Sequence, residues 1–136
     1  MSRNRFIDLV NEFSALAGLD QPELLARGSS VEVDGVDFVF QYDEEYAPEH
    51  VMLYCDFGVP PEERLLDVYE ALLETNMIVY GGSSPAFMLG PDKRVTFAYQ
   101  CRLADVRARH LIDILHKLAG QAKDWRTDYF LEASLA

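Results

Sequence analysis

The chain has little of what catalysis and nucleic-acid binding draw on. It has few histidines, and the only ones, His50, His110 and His116, do not fall at ligand spacing. His110 and His116 are six apart on one helical pattern and point to different faces, so they favour boundary positions over a metal site. Cysteine is equally scarce. Cys55 and Cys101 sit inside apolar strand patterns with no Cys-x-x-Cys spacing, and read as reduced core residues. No His-x-x-x-His, Gly-x-Ser-x-Gly or Walker-type loop occurs. Gly81-Gly82-Ser83-Ser84 follows a helix and precedes a strand, the reverse of the order that sets a helix N-terminus against an anion, and reads as a link. Glu44, Glu45 and Glu49 lack the alternation of a calcium loop. Positive charge is short as well: 12 Lys and Arg against 23 Asp and Glu leave a net charge of -11, which repels phosphate backbones and anionic membranes. No apolar run is long enough for a signal peptide core or a membrane span, so a cytoplasmic protein is expected.

What is present is apolar. Hydrophobic residues make up 49% of 136 residues, enough for one domain with its own core, taken as 1–136. Phe6, Leu9, Val10, Phe13, Leu16 and Ala17 recur at helical spacing up to Gly18. From Val31 the period becomes two. Val31–Val33, the hairpin signal Asp34-Gly35, Val36–Tyr42 and Val51–Phe57 predict three strands. Pro60-Pro61 and Glu62-Glu63 suit a helix start, followed by Leu65, Leu66, Val68, Tyr69, Leu72 and Leu73 to about Met77. Phe87–Leu89 and Val95–Leu103, about Gly90-Pro91-Asp92-Lys93, predict a strand, a turn and a strand. A last helix is expected from Ala104 or Asp105, with Leu111, Leu115, Leu118, Ala122 and Trp125 in one stripe, and a loose tail over 127–136. The order α-β-β-β-α-β-β-α predicts an α+β fold: a largely antiparallel twisted sheet packed with helices.

The apolar residues exceed what one core needs. The central helix is apolar over too wide an arc, and the second faces of the strands still carry Val39, Met52, Tyr54 and Ala98. Either tail or loop half-covers that sheet face, or the sheet and the first helix display patches to another polypeptide.

This pattern resembles the class I effector chaperones of type III secretion, the Tir-chaperone-like family. Leu72-Leu73-Glu74-Thr75-Asn76-Met77 is similar to the family's Leu-Leu-x-x-Asn-Leu helix end. Phe87-Met88-Leu89-Gly90-Pro91-Asp92 and Val95-Thr96-Phe97 resemble the strands about its Leu-x-x-Asp turn. The segment Leu19–Ser30 and the pair Val79-Tyr80 depart from it. The resemblance implies a cytoplasmic bacterial homodimer that is not an enzyme and uses no cofactor. Its partner would be a secreted effector, held in extended form by its N-terminal chaperone-binding segment. It also implies a dimer interface at Val68, Tyr69, Leu72, Leu73, Phe87, Met88 and Leu89. The client would be bound by Phe6, Leu9, Val10 and Phe13 in one patch and by Val39, Met52, Tyr54 and Ala98 in another. A regulatory or adaptor domain of the YbjN-like group, binding a folded protein, is the alternative expectation.

Overall fold

A computed structural model describes residues 2–79, 85–90 and 92–131. The link expected at 81–84, Pro91 of the expected turn and the end of the expected tail, 132–136, lie outside the described residues. Helix α1 spans Ser2–Ala17 and a short α2 spans Pro22–Ala26. Strands β1 (Val31–Val33), β2 (Val36–Gln41) and β3 (His50–Gly58) follow. A 3-10 turn, Glu62–Arg64, leads into α3 (Leu65–Val79); then come β4 (Ala86–Leu89), β5 (Val95–Arg102) and α4 (Ala108–Asp128). The five strands form one antiparallel sheet in the order β1-β2-β3-β5-β4.

Local chemistry sets the boundaries. Helix α1 stops at Gly18, whose φ of 74° suits a residue without a side chain. The Gly18 N–H reaches Ala15 O and the Leu19 N–H reaches Ser14 O at 2.8 Å, satisfying the last carbonyls. Asp34 and Gly35, with φ of 53° and 83°, make the tight turn that pairs Val33 with Val36. The prolines delay α3: Pro61 caps the 3-10 turn, and the helix proper begins at Leu65. The last helix starts at Ala108, later than expected, because the N–H groups of Asp105 and Val106 both turn back onto Arg102 O.

One face of the sheet makes the core. Val36, Phe38 and Phe40, then Val51, Leu53, Cys55 and Phe57, then Val95, Phe97 and Cys101, point into it. Helices α1 and α4 pack on that side, with Leu111, Leu115, Leu118, Ala122 and Trp125 of α4 all buried. Strand β3 carries a bulge between Asp56 and Gly58. Arg126 of α4 uses it, donating to Phe57 O at 2.7 Å and Asp56 O at 2.9 Å. The chain does not loosen at 127. Helix α4 runs on to Asp128, Tyr129 packs edge-on against Trp125 at 4.8 Å, and Phe130 meets Phe87 at 5.9 Å.

Candidate protein-binding surfaces

Helix α3 divides its apolar residues between two sides. Val68, Ala71 and Leu72 are buried within the chain. Leu66, Leu73 and Met77, spaced seven and four apart, stand on another face at 84%, 69% and 87% exposure. Ile78 is equally open. Beside them runs β4, whose Met88 and Leu89 are exposed. Between helix and strand lies a groove of about 260 Å³, floored by Leu72, Tyr69, Phe87 and Val95. Its lining is almost wholly apolar side chain.

Asn76 fixes the two elements to each other. Its Nδ2 donates to Phe87 O at 3.0 Å, and its Oδ1 accepts the Phe87 N–H at 2.6 Å. Strand β4 is an edge of the sheet, and these are backbone groups facing away from β5. Asn76→Ala strands both of them. It is expected to cost about 1–3 kcal/mol in a urea denaturation. Asn76→Asp keeps an acceptor but sets a carboxylate against Phe87 O, and is expected to cost at least as much.

Of the residues expected at a dimer interface, Leu73, Met88 and Leu89 are exposed, and Tyr69 and Phe87 are half-buried against the core. Val68 and Leu72 are a correction: both are core residues of this chain, Leu72 reaching the groove only as its floor. Leu66, Met77 and Ile78 belong to the exposed face instead. The seven-four spacing of Leu66, Leu73 and Met77 is the sequence signal for it.

The patch expected on the first helix is corrected too. Phe6, Leu9, Val10 and Phe13 are buried, none more than 7% exposed. Phe6 stacks on Tyr42 with ring centroids 4.9 Å apart, and Phe13 meets Phe40 at 5.2 Å. An amphipathic helix laid on its own sheet spends its apolar face there. Leu16, at the end of the stripe, is exposed.

The second face of the sheet is only partly covered. Val39, Met52 and Tyr54 are half-buried, and none joins the core cluster. Ala98, opposite Tyr54 and Ala86 in the ladders, is buried, although it too stands outside that cluster. Near the end of this face Arg94 grips Asp56 through two nitrogens at 2.8–3.1 Å.

The titratable groups do not assemble into a centre. His50 lies opposite Arg102 across the β3–β5 ladder, and His116 Nδ1 sits 2.5 Å from Asp34 Oδ2. That hydrogen bond holds the Asp34 carboxyl below its usual range. Among the described residues no three His, Cys, Asp or Glu side chains are grouped to hold a metal ion, and no helix is long and apolar enough to cross a membrane. Burial pushes the Cys55 thiol up to about 12 and the Cys101 thiol to about 11, the opposite of what a nucleophile needs. Because the folded state holds these protons more tightly than the unfolded chain, their contribution is intact below about pH 9. It is lost as pH climbs through 9 towards 11 and 12. Thermal melts across pH 8–11 are expected to fall at the alkaline end, and less steeply in a Cys55→Ala variant measured against its own neutral-pH melt.

The fold has solved counterparts. The type III secretion chaperone SycH of Yersinia pestis, in complex with a stable fragment of YscM2, matches with a TM-score of 0.57 at 17% identity. That match covers 88% of this chain and 98% of the other. The ExsC–ExsE complex matches with a TM-score of 0.66 at 19% identity, over 90% of this chain and 92% of the other. At such identities the likeness is one of fold. No curated protein matches the chain in sequence. A family model does, over residues 8–126, from within α1 to the end of the buried stripe of α4. The chain belongs to the Tir chaperone protein (CesT) family.

Proposed function

We propose that the protein is a cytoplasmic type III secretion chaperone. As a homodimer it holds the N-terminal segment of a secreted effector extended, soluble and competent for export. The observation that carries this reading is the apolar face of Leu66, Leu73 and Met77 beside Met88 and Leu89. A chain of net charge -11 keeps that much apolar surface open because something covers it in use. A second copy is the natural cover, since the same face is offered by both partners about a twofold axis. The client then falls to the second sheet face, where Val39, Met52 and Tyr54 are left outside the core cluster. Work of this kind is binding, and no residue is catalytic.

An extended client loses much chain entropy on docking, so its affinity comes from broad burial and main-chain pairing. The test is co-purification from the native host, followed by limited proteolysis of the complex and mapping of the protected segment. The expected result is protection of an N-terminal stretch of a secreted protein that is unfolded when released. Recovery of folded, non-secreted partners alone, as an adaptor domain would give, defeats the proposal.

A further inference from the structure

The sheet face turned away from α1 and α4 is graded in charge. At one end Glu32 lies directly opposite Asp37 across β1 and β2, and Asp56 follows on β3. Like charges placed opposite one another weaken a sheet, so this end is unfavourable for folding. In the middle Val39 lies opposite Tyr54, and Tyr54 opposite Ala98. At the far end stand His50 and Arg102. A groove of about 350 Å³ occupies the acidic end, with Val39 and Tyr54 in its floor and Asp37, Asp92 and Arg94 on its sides.

The cation lining that groove is already engaged. Arg94 is committed to Asp56 by a two-pronged contact. Asp37 and Asp92 lie near enough for their charge to reach Arg94. Neither has a hydrogen-bond or ion-pair partner among the described residues. The groove thus offers an apolar floor beside three carboxylates, Asp37, Asp56 and Asp92, that share the single cation Arg94. Spacing adds a constraint. Asp37 and Val39 are two residues apart on one strand, about 7 Å. An extended chain laid along β2 repeats its side chains on one side at the same interval.

We propose that this face binds an extended cationic segment, with an apolar residue over Val39 and Tyr54 and a lysine or arginine two positions away beside Asp37 and Asp92. The inference rests on the chaperone reading and names the chemistry of its client. The opposite signs at the two ends also favour one direction of the segment over the other.

The probes are two short, unstructured, fluorescein-labelled peptides in a serine background. One carries isoleucine and arginine two positions apart, with serine between them, the other isoleucine and glutamate at the same positions, and binding is read by anisotropy. At low salt the arginine peptide is expected to bind about tenfold more tightly, and the preference to shrink as salt is added. Asp37→Asn combined with Asp92→Asn is expected to erase the preference, and Asp37→Lys to shift it towards the glutamate peptide. Both positions are exposed, and far-UV circular dichroism checks that each variant is folded. Glu62→Gln with Glu63→Gln removes as much charge elsewhere and is expected to leave the preference intact. Equal binding of the two peptides overturns the proposal, as does a preference lost equally in the Glu62/Glu63 control. Its failure is separable from that of the chaperone reading. A client that co-purifies equally with the wild type and the Asp37/Asp92 variant removes this proposal alone. A charge preference seen where no secreted client is captured supports this face and removes the other reading.

Discussion

Phe13→Asp is expected to abolish the folded state. Phe13 is 1% exposed, lies against Phe40 of β2 and belongs to the cluster joining α1, the sheet and α4. Truncating a phenylalanine in such a site to alanine costs roughly 3–5 kcal/mol, and a carboxylate adds the penalty of a buried, unpaired charge. A domain of this size has about 5–15 kcal/mol in total. The variant is expected to lose its cooperative melt and its near-ultraviolet aromatic signal, while Phe13→Leu keeps both with a lower midpoint. If Phe13→Asp instead melted like the wild type and lost only its client, α1 would be a binding surface and its buried packing irrelevant to stability.

Leu73→Asp combined with Met77→Asp has the opposite profile. At 69% and 87% exposure these side chains add little to the stability of one chain, so the variant is expected to fold. Covered by a second copy, each would contribute about 1.5–3 kcal/mol, and a twofold axis counts every substitution twice. A loss on the order of 6 kcal/mol or more removes association at micromolar concentration. Light scattering is expected to show the wild type at twice the chain mass of 15.5 kDa and the variant at 15.5 kDa. A wild type already monomeric at those concentrations would end the homodimer proposal.

The two variants mark what the sequence makes legible. Strand alternation from Val31 to Phe57 announces itself because each strand buries one face, and the antiparallel ladders follow it. The α4 stripe ending at Trp125 is equally plain. A helix pattern, however, reports only that a face is apolar, not what covers it. Phe6 and Phe13 look the same in sequence whether they meet Tyr42 and Phe40 or a client. On α3 the error runs the other way: Val68 and Leu72 share an arc with Leu73, and only the position of β4 separates core from surface. Asn76 is visible as part of a motif, but its contact with Phe87, and the reach of Arg126 to the β3 bulge, join residues too distant in sequence for any local pattern to carry.

The Asn76 contact bears on how such a chain stays in solution. An edge strand beside exposed leucine and methionine is a template on which copies could add one after another without limit. With the outward groups of Phe87 already occupied, main-chain growth along β4 is cut short, and neighbours can meet this edge mainly through side chains. Side-chain contact between two copies about a twofold axis would close on itself, whereas strand addition would not. Asn76 therefore removes one route by which this edge could grow into a fibre.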